Sequence, residues 1–269
     1  MSAYARGCSH EKKRSAIIQK AEKAGVFVTD DLSEALYGSS FVLSLVTPDS
    51  ARDVACHAIE LLDSSQVFVD LNSVSPITKK NIAQQFNNKI PFIDGAILGP
   101  VPVFGHRVPI AVAGQKADKF FEALSLFGME ITVIDAEAGA ASMLKMLRSV
   151  FMKGLPQLML EFMLPAYRLG ILDAAIDSLE KTISGKTLRQ LADQTFAATI
   201  KHSKRRSEEM QQVVLTLIAL EESCDMSRAS KKRLEKISGY AGVESVDVSC
   251  TDFGQVLRFL AENEPKRLF

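Results

Sequence analysis

The chain has 269 residues, 47% of them hydrophobic, with Lys+Arg and Asp+Glu balanced at 32 each, so it can bury one large core or two ordinary ones. Zero net charge excludes a global attraction to nucleic acid or an anionic membrane and leaves small molecules as the expected partners. Cys8, Cys56, Cys224 and Cys250 lack the paired spacing or histidine cluster of a zinc site, no apolar run reaches bilayer length, and the N-terminus is polar, so a cytoplasmic protein with reduced thiols and no metal is expected.

Taken in order, β-branched runs at Val26–Val28, Phe41–Val46, Val67–Asp70, Ile90–Ile93, Ile110–Ala113 and Ile131–Ile134 alternate with helical patterns. That alternation predicts right-handed parallel crossovers and a doubly wound α/β domain over 1–135. From about Glu137 the β-rich runs stop, and helical periodicity at about 137–168, 171–182, 186–202, 204–221 and 226–238 predicts an all-α domain over 136–269. Pro156, Pro165, Gly170 and Gly185 are expected to kink or end some of these helices.

Open α/β sheets bind ligands at the carboxyl ends of their strands, which singles out three turns. Phe41–Val46 runs into Thr47, Pro48 and Asp49. Val67–Asp70 runs into DLNSVSP, where Asn72, Ser73 and Ser75 form a polar turn before Pro76 opens a helix. Ile90–Ile93 runs into DGAILGPVPVFG, a glycine- and proline-rich loop. Capping and turn chemistry explains any one of them; their succession ahead of a lysine-bearing helix marks a site. That helix begins in GAASMLKMLRSVFMKGL, residues 139–155, where Lys145 shares a face with Ser142, Arg148 and Ser149. Read alone, Lys145 is a solvated charge. Met143, Leu144, Met146, Leu147, Val150 and Phe151 on the same helix leave little room for a solvent face and predict apolar surroundings, which suit a lysine to acid/base work.

These motifs resemble those of the β-hydroxyacid dehydrogenase superfamily, which includes 3-hydroxyisobutyrate and 6-phosphogluconate dehydrogenases. DLNSVSP is similar to its substrate-binding Asp-x-Ser/Asn-Thr-x-x-Pro motif and GAASMLK to its glycine-then-lysine catalytic motif, while KMLRSVFMKGL and KHSKRRSEEM resemble a branch with a phosphogluconate-dehydrogenase-like helical C-terminal domain. The resemblance implies a Rossmann-like NAD(P)-binding domain followed by a helical substrate and dimerisation domain. It implies hydride transfer between a nicotinamide and a small hydroxy acid, with Lys145 as general acid/base and Asn72 and Ser73 holding the substrate carboxylate or hydroxyl. Leu98, Gly99 and Pro100 stand where the family reads Ser-Gly-Gly, and Ser149, beside Arg148, stands where it carries an asparagine; both changes fall among substrate-binding positions and imply an unusual substrate. Arg148 reads equally as a partner for an anionic substrate or as a structural ion pair.

Val46, Thr47 and Pro48 are the candidate cofactor-binding turn. No Gly-x-Gly-x-x-Gly follows a strand, and the sequence begins at the family's second strand, Ser2–Ala5, so weak dinucleotide binding is expected; a fragment and a relative that has lost its cofactor remain open. Arg6 occupies the ribose-reading segment and tilts the preference toward NADP over NAD, although it reads as well as a solvated charge. The alternative to an enzyme is a non-catalytic dimerising or ligand-binding relative. Both readings expect a homodimer, because LMLEFMLPAYRL at 158–169 carries more apolar surface than one short bundle buries.

Overall fold

Two ladders of strands form in the first half of the chain, in a computed structural model that describes residues 1–4, 11–249 and 251–264. β1 (Ser2–Tyr4) pairs in parallel with β2 (Phe27–Thr29), and α1 (Glu11–Lys23) lies between them in sequence. After the short α2 (Leu32–Leu36) comes a five-stranded sheet in sequence order: β3 (Phe41–Ser44), β4 (Val67–Asp70), β5 (Phe92–Ile97), β6 (Ile110–Gly114) and β7 (Ile131–Ile134). Side chains bridge the ladders to α2: Ser2 Oγ donates to Ala35 O at 2.7 Å and Gln66 Nε2 donates to Leu36 O at 2.8 Å.

Alternation along the strands feeds two cores. Phe68 and Phe92 point to one face and pack with Phe86, Ile82 and Ala55 beneath α3 (Ala51–Leu61) and α4 (Pro76–Gln85). Val67, Val69, Ile93 and Val112 point to the other and pack on Phe120 of α6 (Ala117–Ser125). Each such side chain contributes about 1.5–3 kcal/mol on burial, which offsets the ordering of short strands between two helical layers.

Two expectations need correction. The sheet is not parallel throughout, since β5 and β6 run antiparallel. Their connection, residues 98–109, holds the four-residue α5 (Val101–Phe104) and a 3-10 turn at Gly105–Arg107, without the longer helix that usually carries a parallel crossover. The stretch read as a loop from Asp94 is also partly strand: Asp94, Gly95, Ala96 and Ile97 complete β5. Turn-forming residues stay in this ladder because Asp94 is satisfied by buried partners and because Gly95 passes under Leu71, whose Cδ2 lies 2.5 Å from where a Cβ would stand.

The second half is helical: α7 (Ala140–Arg168), α8 (Leu172–Ile183), α9 (Leu188–Lys201), α10 (Ser203–Ala219), α11 (Asp225–Ser238) and α12 (Phe253–Asn263). α7 continues through Pro156 and Pro165. Glu161, within that helix, accepts from Met226 N, Ser227 N and Ser227 Oγ at 2.8, 2.8 and 2.6 Å and so closes the start of α11. Ala197, Ile200, Ile237, Val243 and Val256 form the helical core, into which α12, unpredicted from periodicity, inserts Val256. Two compact units result, Met1–Phe151 and Met152–Phe269, and the division falls inside α7, so its opening turns belong with the sheet.

Candidate functional site

The turn after β4 and the second turn of α7 meet. Lys145 Nζ donates to Ser73 Oγ at 2.6 Å, joining residues seventy-two positions apart within the first unit. Each partner is placed by local rules. Ser75 caps α4 by accepting from Thr78 N, and Pro76 occupies the helix's first turn, so the chain leaves β4 in a tight polar bend that presents Ser73. Asn72 is buried and braces that bend. Its Oδ1 accepts from Val46 N at 2.6 Å and its Nδ2 donates to Ser44 Oγ at 2.9 Å, tying the Val46–Thr47–Pro48 turn after β3 to the end of β4. Thr47 Oγ1 donates to Ser50 Oγ at 3.1 Å, and Leu45 and Val46 leave apolar side chains exposed at this strand end.

Behind the contact lies a fully buried charge cluster. Asp70 and Asp94 are register partners on β4 and β5, so their carboxylates share one face of the sheet, and Lys79 of α4 reaches between them. Its Nζ stands 2.9 Å from Asp70 Oδ1 and 3.5 Å from Asp94 Oδ1, and donates to Asp70 O at 2.5 Å. Asp70 Oδ1 also accepts from Asn72 N at 2.9 Å, while its Oδ2 is buried without a hydrogen-bond partner. Adjacent carboxylates at zero exposure demand a cation, and removing Lys79 would cost about 3–5 kcal/mol. The sequence does hold a signal for this cluster: VFVD and PFID each end an apolar run in aspartate, an unusual place for an unpaired acid.

The remaining predicted positions scatter around this centre. Leu98 packs partly buried against Ala96, Ala111, Ala113 and Ala141, and Gly99 sits close beneath Val108. Ser149 Oγ donates back to Lys145 O at 2.9 Å, and Arg148 is exposed. Arg6 lies outside the described residues. The expectation that apolar neighbours deny Lys145 a solvent face is overturned: Lys145 is only half-buried, and Leu147 and Val150 are 62% and 74% exposed, because only Ala141 and Ser142 of this stretch are held in the sheet's interior. A cavity of about 730 Å³ lined by Lys80, Gln84, Asn88, Gln115 and Glu137 opens beside Phe92 and Gly114, at the opposite ends of the strands from Ser73. It contains none of the predicted site residues.

The chain is similar to known proteins in sequence and fold. An uncharacterized 28.5 kDa protein of Methanothermus fervidus is 36% identical over 200 residues, covering 74% of this chain and 76% of the relative. The solved structure of the conserved protein MTH1747, described as of unknown function and structurally similar to 3-hydroxyacid dehydrogenases, is 31% identical with a TM-score of 0.57, covering 82% of this chain and 83% of that one. The chain belongs to this 3-hydroxyacid dehydrogenase-like family. A domain of unknown function (DUF1932) matches residues 166–237 within its helical half. The fold extends further, to a Myxococcus stipitatus imine reductase solved with NADP+ at 17% identity and a TM-score of 0.66, covering 96% of this chain and 91% of that one. A variant of that reductase has been solved with NAD+. The Rossmann-like α/β domain followed by helices is thus common to the set, as the motifs implied.

Proposed function

We propose that the protein is a nicotinamide-dependent oxidoreductase acting on a small hydroxy acid or a compound of similar polarity, with Lys145 as general acid/base. The observation that carries this reading is the 2.6 Å hydrogen bond between Lys145 and Ser73 at the carboxyl end of the sheet. A substrate hydroxyl held by Ser73 there lies within reach of the amine, which takes its proton in the oxidising direction and returns it in the reducing one, worth about 10²–10⁴-fold in rate. Arg148, exposed one turn on, supplies a cation for an anionic substrate, and Ser149 with Leu98 and Pro100 in place of the family's usual residues, flanking the retained Gly99, supports a substrate unlike those of its best-known members.

The residues present fit the nicotinamide end of the cofactor: Leu45 and Val46 give an exposed apolar surface, and the Val46 turn is one hydrogen bond from the residue preceding Ser73. They provide no Gly-x-Gly-x-x-Gly turn for the pyrophosphate. When bound, the nicotinamide supplies or accepts the hydride. NADP and NAD both remain candidates, with Arg6 the reason to place NADP first.

A second reading, a ligand-binding relative without catalysis, draws on the same contact, since Ser73 and Lys145 can hold a small polar ligand without transferring a proton. Calorimetric titration with both cofactors, followed by turnover of a hydroxy-acid panel at millimolar cofactor, separates them. The enzyme reading expects binding of at least one of the two cofactors, measurable turnover, and a loss of about 10³-fold or more in Lys145→Met with cofactor affinity unchanged. Turnover of Lys145→Met within about tenfold of wild type would remove the lysine from its role. Absence of both cofactor binding and turnover would leave the binding reading.

A further inference from the structure

The helix that carries Lys145 has no cap of its own. α4, α9 and α12 begin beneath Ser75, Thr187 and Asp252, each accepting from a backbone N–H of its own first turn. The residues before α7 are Ala138 and Gly139, without a side-chain oxygen between them, so its first N–H groups need an acceptor from elsewhere. Asp94 provides it from the middle of β5. Its Oδ2 accepts from Gly139 N and Ser142 N, both at 2.9 Å, and its Oδ1 accepts from Ser142 Oγ at 2.6 Å. Asp94 and Ser142 are buried, at 0% and 2% exposure, so water does not substitute for these bonds.

We propose that Asp94 is the positioning residue that sets where the Lys145 amine stands. Lys145 follows Ser142 by three positions, so its stem rises from the same helical face one turn above the clamp. Because the clamp grips the N–H just before the helix, the N–H of Ser142 in its first turn and one hydroxyl, it fixes both the height of α7 on the sheet and its rotation. A slip of one residue would turn the lysine about 100° away from Ser73. The other side of the contact is held in the same way: Asp70 Oδ1 accepts from Asn72 N, next to Ser73 in the chain, and Lys79 lies between the two aspartates. Ser73 and Lys145 are therefore referred to one buried ion cluster, Asp70–Lys79–Asp94, across adjacent strands. The local sequence of α7 does not decide where its lysine lands; a carboxylate forty-eight positions from Ser142 does.

This inference rests on the reading of Lys145 as the proton-transferring group, and its test also follows the amine directly. The full chain is reductively methylated with ¹³C-formaldehyde, and the Lys145 signal is assigned by its loss in Lys145→Arg. Two variants are compared. Asp94→Asn keeps the volume but sets an amide donor against donors, and Ser142→Ala removes the hydroxyl while both peptide bonds to Asp94 remain. Expected is a shift of the Lys145 signal toward that of solvent-exposed lysines in Asp94→Asn, a smaller shift in the same direction in Ser142→Ala, and in turnover a fall in kcat of about 10²-fold with KM within about threefold. If Asp94→Asn does not fold, the Ser142→Ala shift decides. An unmoved Lys145 signal in a folded variant overturns the proposal, as does a loss that appears in KM alone. Should Lys145→Met keep its turnover while Asp94→Asn still moves the signal, the catalytic reading fails and the positioning stands.

Discussion

Lys145 and Ser73 are the residues on which the functional reading turns, yet their contact depends on a glycine. Gly139 has φ +102°, its N–H faces Asp94 Oδ2 at 2.9 Å, and a Cβ there would stand 3.0 Å from Lys80 Cγ and 3.1 Å from Pro76 O. The positive dihedral strains any other residue and the space is tight for a side chain, which gives a physical reason for the glycine that opens the glycine-then-lysine motif. Gly139→Ala is expected to destabilise the first unit by about 1–3 kcal/mol, read from urea unfolding, and an unchanged midpoint would mean that the loop before α7 relaxes without strain. Lys79 shows the opposite case. It is one of two adjacent lysines in α4 that sequence does not distinguish, and burial beside two carboxylates makes it structural while Lys80 lines an open cavity.

At the level of elements, capping decides where helices begin and a small ion cluster ties the last one down. α12 starts beneath the Asp252–Gln255 capping box, and just past its end Glu264 accepts from Tyr240 Oη and pairs with Arg233 at 2.7 Å and Lys236 at 3.2 Å. The Tyr240 hydrogen bond above all, with the two cations, holds the Glu264 carboxyl down at about 2. A carboxyl with a depressed folded-state pKa stabilises the fold above its unfolded pKa and loses that contribution as pH falls through the folded value. The stability difference between wild type and Glu264→Gln should therefore be present at neutral pH and close as the pH is taken from about 4.5 to about 2. Chemical unfolding followed by circular dichroism at each pH checks this, and a difference that grows on acidification would contradict it. β5 teaches a related lesson: Asp94 and Gly95 are turn formers by propensity, and tertiary partners keep them in the ladder.

For the whole molecule, the open question is assembly. The helical half leaves Leu158, Leu160, Leu164 and Leu169 between 44% and 59% exposed, an apolar surface of the kind that subunit interfaces cover. We propose a homodimer, for which light scattering should return twice 29.4 kDa, with Leu160→Asp plus Leu164→Asp shifting the mass to one chain. A monomer at micromolar concentration in the wild type would end the proposal. Periodicity determined the α/β-then-helical order, and short motifs determined the family, because strand alternation, Pro76 after a capping serine and the glycine before Lys145 are local demands that sequence writes down directly. Tertiary structure alone decided that β6 turns back antiparallel, that α7 passes through two prolines, that Asn72 braces a neighbouring turn, and that Asp94 and Lys79 fix the approach of Lys145 to Ser73. The brace at Asn72 and the clamp at Asp94 depend on partners twenty-six and forty-eight positions away, and the free energy that selects them comes from burial and pairing across the sheet, which no window of sequence contains.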